Sequence, residues 1–108
     1  LAVLTVQKIS HAGLNPNFVA ADVGGDEFAN GGRTMLYVKN EGASQITVTI
    51  DSAKPCNYGF DHDLTVDIPA GEDRIVGPFD PSRFNNSSAR VAVTYSDVTS
   101  VTVAALEV

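Results

Sequence analysis

Gly24-Gly25-Asp26-Glu27-Phe28 sets two adjacent carboxylates on a glycine turn, a string suited to metal-bound nucleotide chemistry when a larger domain surrounds it. Asp61-His62-Asp63, with Cys56 upstream, offers ligand types that a metal accepts. Neighbouring residues on an extended chain point in opposite directions, so Asp61 and Asp63 share a face that His62 leaves. The soft thiolate of Cys56 and the hard carboxylates also suit different ions. Asp22, Asp26 and Glu27 lack the alternating Asp, Asn and Gly spacing of a dedicated Ca²⁺ loop. Cys56 with His11 or His62 and any Asp has the residue types of a nucleophilic triad but no local motif around it. The residues therefore predict no catalytic group, no metal and no cofactor.

The elements that would position any such group are strands. Leu36 and Val38 alternate with Met35, Tyr37 and Lys39. Ile46, Val48 and Ile50 alternate with Thr47 and Thr49, and Leu64, Val66 and Ile68 with Thr65 and Asp67. Val91, Val93 and Tyr95, then Val101 and Val103, continue the pattern. Period two buries one face and wets the other, so two sheets must meet over one core. The expected fold class is all-β, an antiparallel β-sandwich of six to eight strands with a jelly-roll or Ig-like order, in a single domain over residues 1–108. The connectors 41–44, 69–72 and 96–99 read as the turns of three hairpins, helped by Gly42, Pro69 and Gly71. Residues 2–9 read as a first strand. Residues 10–32 read as a long irregular or arm-like segment, and removal of residues 1–17 is expected to leave the sandwich folded.

Composition narrows the function classes. Thirteen acidic against seven basic side chains give a net charge of −6, which disfavours nucleic acid as a partner. No apolar run approaches the roughly 18 residues of a spanning helix, so no membrane partner is expected. The single Cys56 makes no internal disulfide, and stability must come from packing. Asn85-Asn86-Ser87-Ser88 contains glycosylation sequons that matter only in a secretory pathway.

Arginine and aromatic side chains on connectors are the residue types that make protein contacts. On that ground Phe18, Phe28, Arg33, Arg83 and Phe84, together with Asn15 of the long 10–32 segment, are the candidate partner-contact residues, with Asp80-Pro81 as the rigid turn beside Arg83 and Phe84. Tyr37, Tyr58 and Phe60 are the candidate platform for a receptor- or carbohydrate-binding module, the alternative reading.

Residues 28–40 (Phe-Ala-Asn-Gly-Gly-Arg-Thr-Met-Leu-Tyr-Val-Lys-Asn), 46–50 (Ile-Thr-Val-Thr-Ile) and 68–72 (Ile-Pro-Ala-Gly-Glu), running on to Gly77-Pro78-Phe79, resemble the small β-sandwich structural proteins of tailed bacteriophages, head decoration or cement proteins in particular. The resemblance implies a non-enzymatic protein made in the host cytoplasm. It would bind the major capsid protein on the outer surface of the virion in many copies, and also itself, as a homo-oligomer and often a trimer. The glycine-acid string of residues 24–28 is also the signature of diguanylate cyclases, but the helices and second metal carboxylate of that α/β domain have no counterpart in this chain.

Overall fold

The computed structural model describes residues 2–52 and 63–108. Ten strands and one short helix follow in order: β1 (Ala2–Val3), β2 (Val6–Lys8), β3 (Val19–Ala20), β4 (Asp26–Ala29), β5 (Thr34–Asn40), β6 (Ile46–Ile50), β7 (Leu64–Ile68), β8 (Asp73–Val76), α1 (Pro81–Phe84), β9 (Arg90–Tyr95) and β10 (Val101–Glu107). Two five-stranded sheets result. One has the order β1-β4-β9-β6-β7; the other runs β2-β10-β5-β8, with β3 also paired to β10. Their inner faces meet over Phe28, Leu36, Val38, Val48, Ile50, Val91, Val93 and Val103, none of which is exposed. The period-two residues of the sequence are the residues of this core, and the fold is a β-sandwich.

Strands β3 to β10 give the orders β4-β9-β6-β7 and β3-β10-β5-β8. This is a jelly-roll arrangement, in which the chain changes sheet at every connection but one. The exception is β6 to β7, antiparallel neighbours with Val48 opposite Val66. The three short connectors therefore are not hairpin turns. β5 pairs with β10 and β8, β7 with β6, and β9 with β4 and β6, so residues 41–45, 69–72 and 96–100 arch from one sheet to the other. A short reversal closes an arch between facing sheets as readily as a hairpin within one, and only pairing across the whole molecule separates the two.

The N-terminal stretch also departs from a single antiparallel strand. β1 runs parallel to β4 in one sheet, and β2 runs parallel to β10 in the other. Between them Leu4, 6% exposed, drops into the core as the chain changes sheet, and Val6 packs beside it. Residues 1–17 are thus not a detachable arm, because removing them would strip a core side chain and one edge from each sheet. Nor is 10–32 irregular throughout: it holds β3 and β4, and Phe28 is completely buried.

β10 is buried on both faces. Ala104 and Leu106 point outward, opposite Tyr37 and Met35 of β5, yet are only 2% and 4% exposed. Part of the chain's own N-terminal segment lies on this face. Phe18 meets the Tyr37 ring edge-on at 5.0 Å, and Lys39 Nζ sits 4.3 Å from the centre of the Phe18 ring. Below it, Gln7 Nε2 donates to the Asn17 carbonyl at 2.9 Å while its Oε1 accepts from the Asn17 N–H at 2.8 Å.

A candidate contact surface at one end of the sandwich

The described connectors 30–33 and 77–89 meet at one end of the sandwich. That end contains three of the six candidate contact residues, Arg33, Arg83 and Phe84. Two asparagines build it. Asn30 Nδ2 donates to the Phe79 carbonyl at 3.1 Å and to Asn85 Oδ1 at 2.8 Å, and Asn85 Nδ2 donates back to the Asn30 carbonyl at 2.7 Å. Asn30 Oδ1 also accepts from Gly32 N–H, which turns the chain towards β5. Gly32 takes φ +98°, open to a residue without Cβ, and a Cβ there would lie 3.5 Å from the Pro81 ring. The 30–33 loop thus lies beside α1, and the Asn30 and Asn85 bonds tie the two together. Asp80 starts α1, its Oδ1 accepting from both Ser82 N–H at 3.0 Å and Ser82 Oγ at 2.9 Å.

The candidate residues separate once they are placed. Arg33 and Arg83 are exposed on this end, and the Arg83 guanidinium lies 4.7 Å from the Phe84 ring centre. Phe28 and Phe84 offer no surface to a partner, because both are buried in a cluster with Phe79 between them, at 5.8 and 5.5 Å between ring centres. Asn15 is exposed on a different part of the surface, and Phe18 is the half-buried ring under Lys39. Tyr37 is half-buried as well: its ring is engaged by Phe18 and its hydroxyl donates to Asp73 at 3.0 Å. Cys56, Tyr58, Phe60, Asp61 and His62 lie outside the described residues.

The Gly24-Gly25 turn that opens the acid string lies at the opposite end, and the two acids that follow it on β4 have structural partners. Asp26 is fully buried on the inward face of β4, its Oδ2 accepting from Tyr95 Oη at 2.7 Å and from Asp22 N–H at 3.3 Å, while Oδ1 has no partner. Glu27, on the other face, pairs with Arg90 at 2.9 Å. Opposite directions on one strand keep the two carboxylates from sharing an ion. Among the described residues no three His, Cys, Asp or Glu side chains group closely enough to hold a metal, and no helix is long and apolar enough to cross a membrane.

Burial, and then the hydrogen bond to Asp26, push the Tyr95 hydroxyl far above the usual tyrosine value near 10. A raised folded value stabilises the protein fully below the unfolded value, and that contribution is lost as pH climbs past it, because only the unfolded chain then releases the proton. Thermal unfolding followed upward from pH 9 should show stability falling above about pH 10, with a shallower fall in Tyr95→Phe. Equal slopes in the two proteins would remove Tyr95 as the cause.

Sequence reasoning missed Asp26, Tyr95, Asn30 and Asn85 as a pair of end-fastening networks. The one available signal was the spacing of Asp26 and Phe28, two apart and hence on one face of any strand they share. No protein-family model, curated protein or solved structure matches this chain.

Proposed function

We propose that this chain is a non-enzymatic virion structural protein, a decoration or cement protein that binds the outer surface of a tailed-phage capsid and stiffens it. The observation that carries the reading is the placement of the stretch that resembles such proteins. Residues 28–79 supply half of β4 and all of β5 to β8, the middle strands of a jelly roll, an architecture common to viral capsid domains. The partners on this reading are the major capsid protein and further copies of the chain. Attachment in several copies gains affinity by multivalency, so each contact can be modest. The net charge of −6 keeps free protein soluble and away from packaged DNA.

Sedimentation with intact capsids from its source tests the proposal. Purified protein should pellet with the particles, saturate at a copy number set by the lattice symmetry, and raise the temperature at which the shells open. Folded protein that stays in the supernatant at all concentrations would reject the reading and favour the receptor- or glycan-binding module.

A further inference from the structure

The N-terminal side of the sandwich leaves a sheet edge open. β2 is the last strand of its sheet, and Ile9 N–H donates to the Glu107 carbonyl at 2.8 Å. Alternation along the chain therefore turns the N–H and C=O of Gln7 towards β10 and those of Val6 and Lys8 outward. β2 begins opposite Ala105 and runs parallel to β10, whereas β3 begins opposite Val103 and runs antiparallel, so the two part from the middle of that strand. A cavity of about 300 Å³ lies where they part, lined by Val3, Leu4, Val19 and the β10 residues 103–105, with Thr5, Gln7 and Asn17 completing it. None of these side chains is ionisable. Val3 and Val19 stand exposed beside it, and the paired bonds between Gln7 and the Asn17 backbone hold its polar side in place. Lys8 is exposed about 10 Å along the strand from Thr5. Among the described residues no carboxylate pairs with its ammonium, and Glu107, in register with it, is half-buried.

We propose that this edge binds one extended segment of the capsid protein by strand addition, with an aliphatic side chain of that segment in the cavity and an acidic one against Lys8. The inference rests on the capsid-binding reading above. Main-chain bonds to Val6 and Lys8 supply affinity that any extended sequence can use, whereas the cavity and the ammonium select among sequences. A lining without charge takes a neutral side chain, because a charged one would lose its water there and find no partner. Lys8 favours a single acid close by, while the net charge of −6 opposes a segment rich in acids. Two copies joined through this same short edge would bring like Lys8 charges within a strand's length of each other, which favours a different chain as the occupant.

Binding to intact capsids should be compared for the wild type, Lys8→Glu, Lys8→Pro and Thr5→Tyr, with the unfolding temperature of each. Amide hydrogen exchange over residues 3–9 should be followed in free and capsid-bound protein. Lys8→Pro removes an outward N–H and no bond of the ladder, and Thr5→Tyr fills the cavity from an exposed position. Each variant should remain folded and bind about tenfold or more weakly, and binding of the wild type should slow exchange at Val6 and Lys8. If the wild type binds while the three variants bind equally well and residues 3–9 exchange as in the free protein, the edge is not the contact and the capsid reading stands. If the wild type does not bind, both fall. Slowed exchange at Val6 that appears in free protein as its concentration rises, and is absent from Lys8→Pro, would assign the edge to a second copy and overturn the proposal.

Discussion

Phe79→Ala is expected to destabilise the protein by about 3–5 kcal/mol, a large share of the roughly 5–15 kcal/mol that holds a domain of this size together. Phe79 belongs to no strand. It enters the core from the 77–89 loop, is 2% exposed, and stands between the rings of Phe28 and Phe84. Alanine would leave a cavity that strand side chains fixed by their ladders are poorly able to fill. The loss would reach the surface too, because the Phe79 carbonyl receives Asn30 Nδ2, and the Asn30 and Asn85 pair holds the loops that carry Arg33 and Arg83. Urea unfolding measures the effect. Phe79→Leu should retain well over half of the lost stability, and a Phe79→Ala protein unfolding within about 1 kcal/mol of the wild type would show that the ring cluster is not what closes this end.

Asn40→Ala should cost about 2–4 kcal/mol, as several polar groups lose their partners at one stroke. Asn40 is the last residue of β5 and 1% exposed. Its Nδ2 donates to the carbonyls of Ser44 at 2.8 Å and Ile68 at 3.0 Å, with the Pro69 carbonyl at 3.3 Å sharing a hydrogen, and its Oδ1 accepts from Gly42 N–H at 3.1 Å. One amide thereby ties together two of the arches that cross between the sheets. Asn40→Asp supplies the sharper comparison. It keeps the size and the bond from Gly42 but turns an acceptor towards three carbonyl oxygens, so it should destabilise at least as much as alanine near neutral pH. If aspartate were tolerated at neutral pH, the bonds to Ser44 and Ile68 would not be holding the arches.

Asn40 also shows how the sequence can mislead. An asparagine ending a strand before Glu41-Gly42 looks like a local turn signal, and residues 33–51 read easily as a hairpin. Its bonds to Ile68 and Pro69, 28 and 29 positions on, are what give it its role. The contact residues divide in a similar way. Arg33 and Arg83 could be singled out from residue type and the rigid turn at Pro81, whereas Phe28 and Phe84 have the same aromatic character and are core. Aromatic type alone does not tell a ring that closes a sandwich from one that meets a partner, because either is an apolar side chain beside a connector.

By itself the sequence determined which residues of the clearly alternating stretches face the core. Alternation fixes the relative faces of neighbouring residues locally, so Leu36, Val38, Ile46, Val48, Ile50, Val91, Val93, Val101 and Val103 could be assigned inward without knowing any strand's neighbour, and all are buried. Only the tertiary structure decided the pairing, the jelly-roll order, the parallel N-terminal edges and the gathering of Arg33 with Arg83. Strand pairing is a competition among all the strands for the same ladders. β10 takes β5 as its antiparallel neighbour, some 60 to 70 positions back, and no window of adjacent residues contains the terms that decide such a choice.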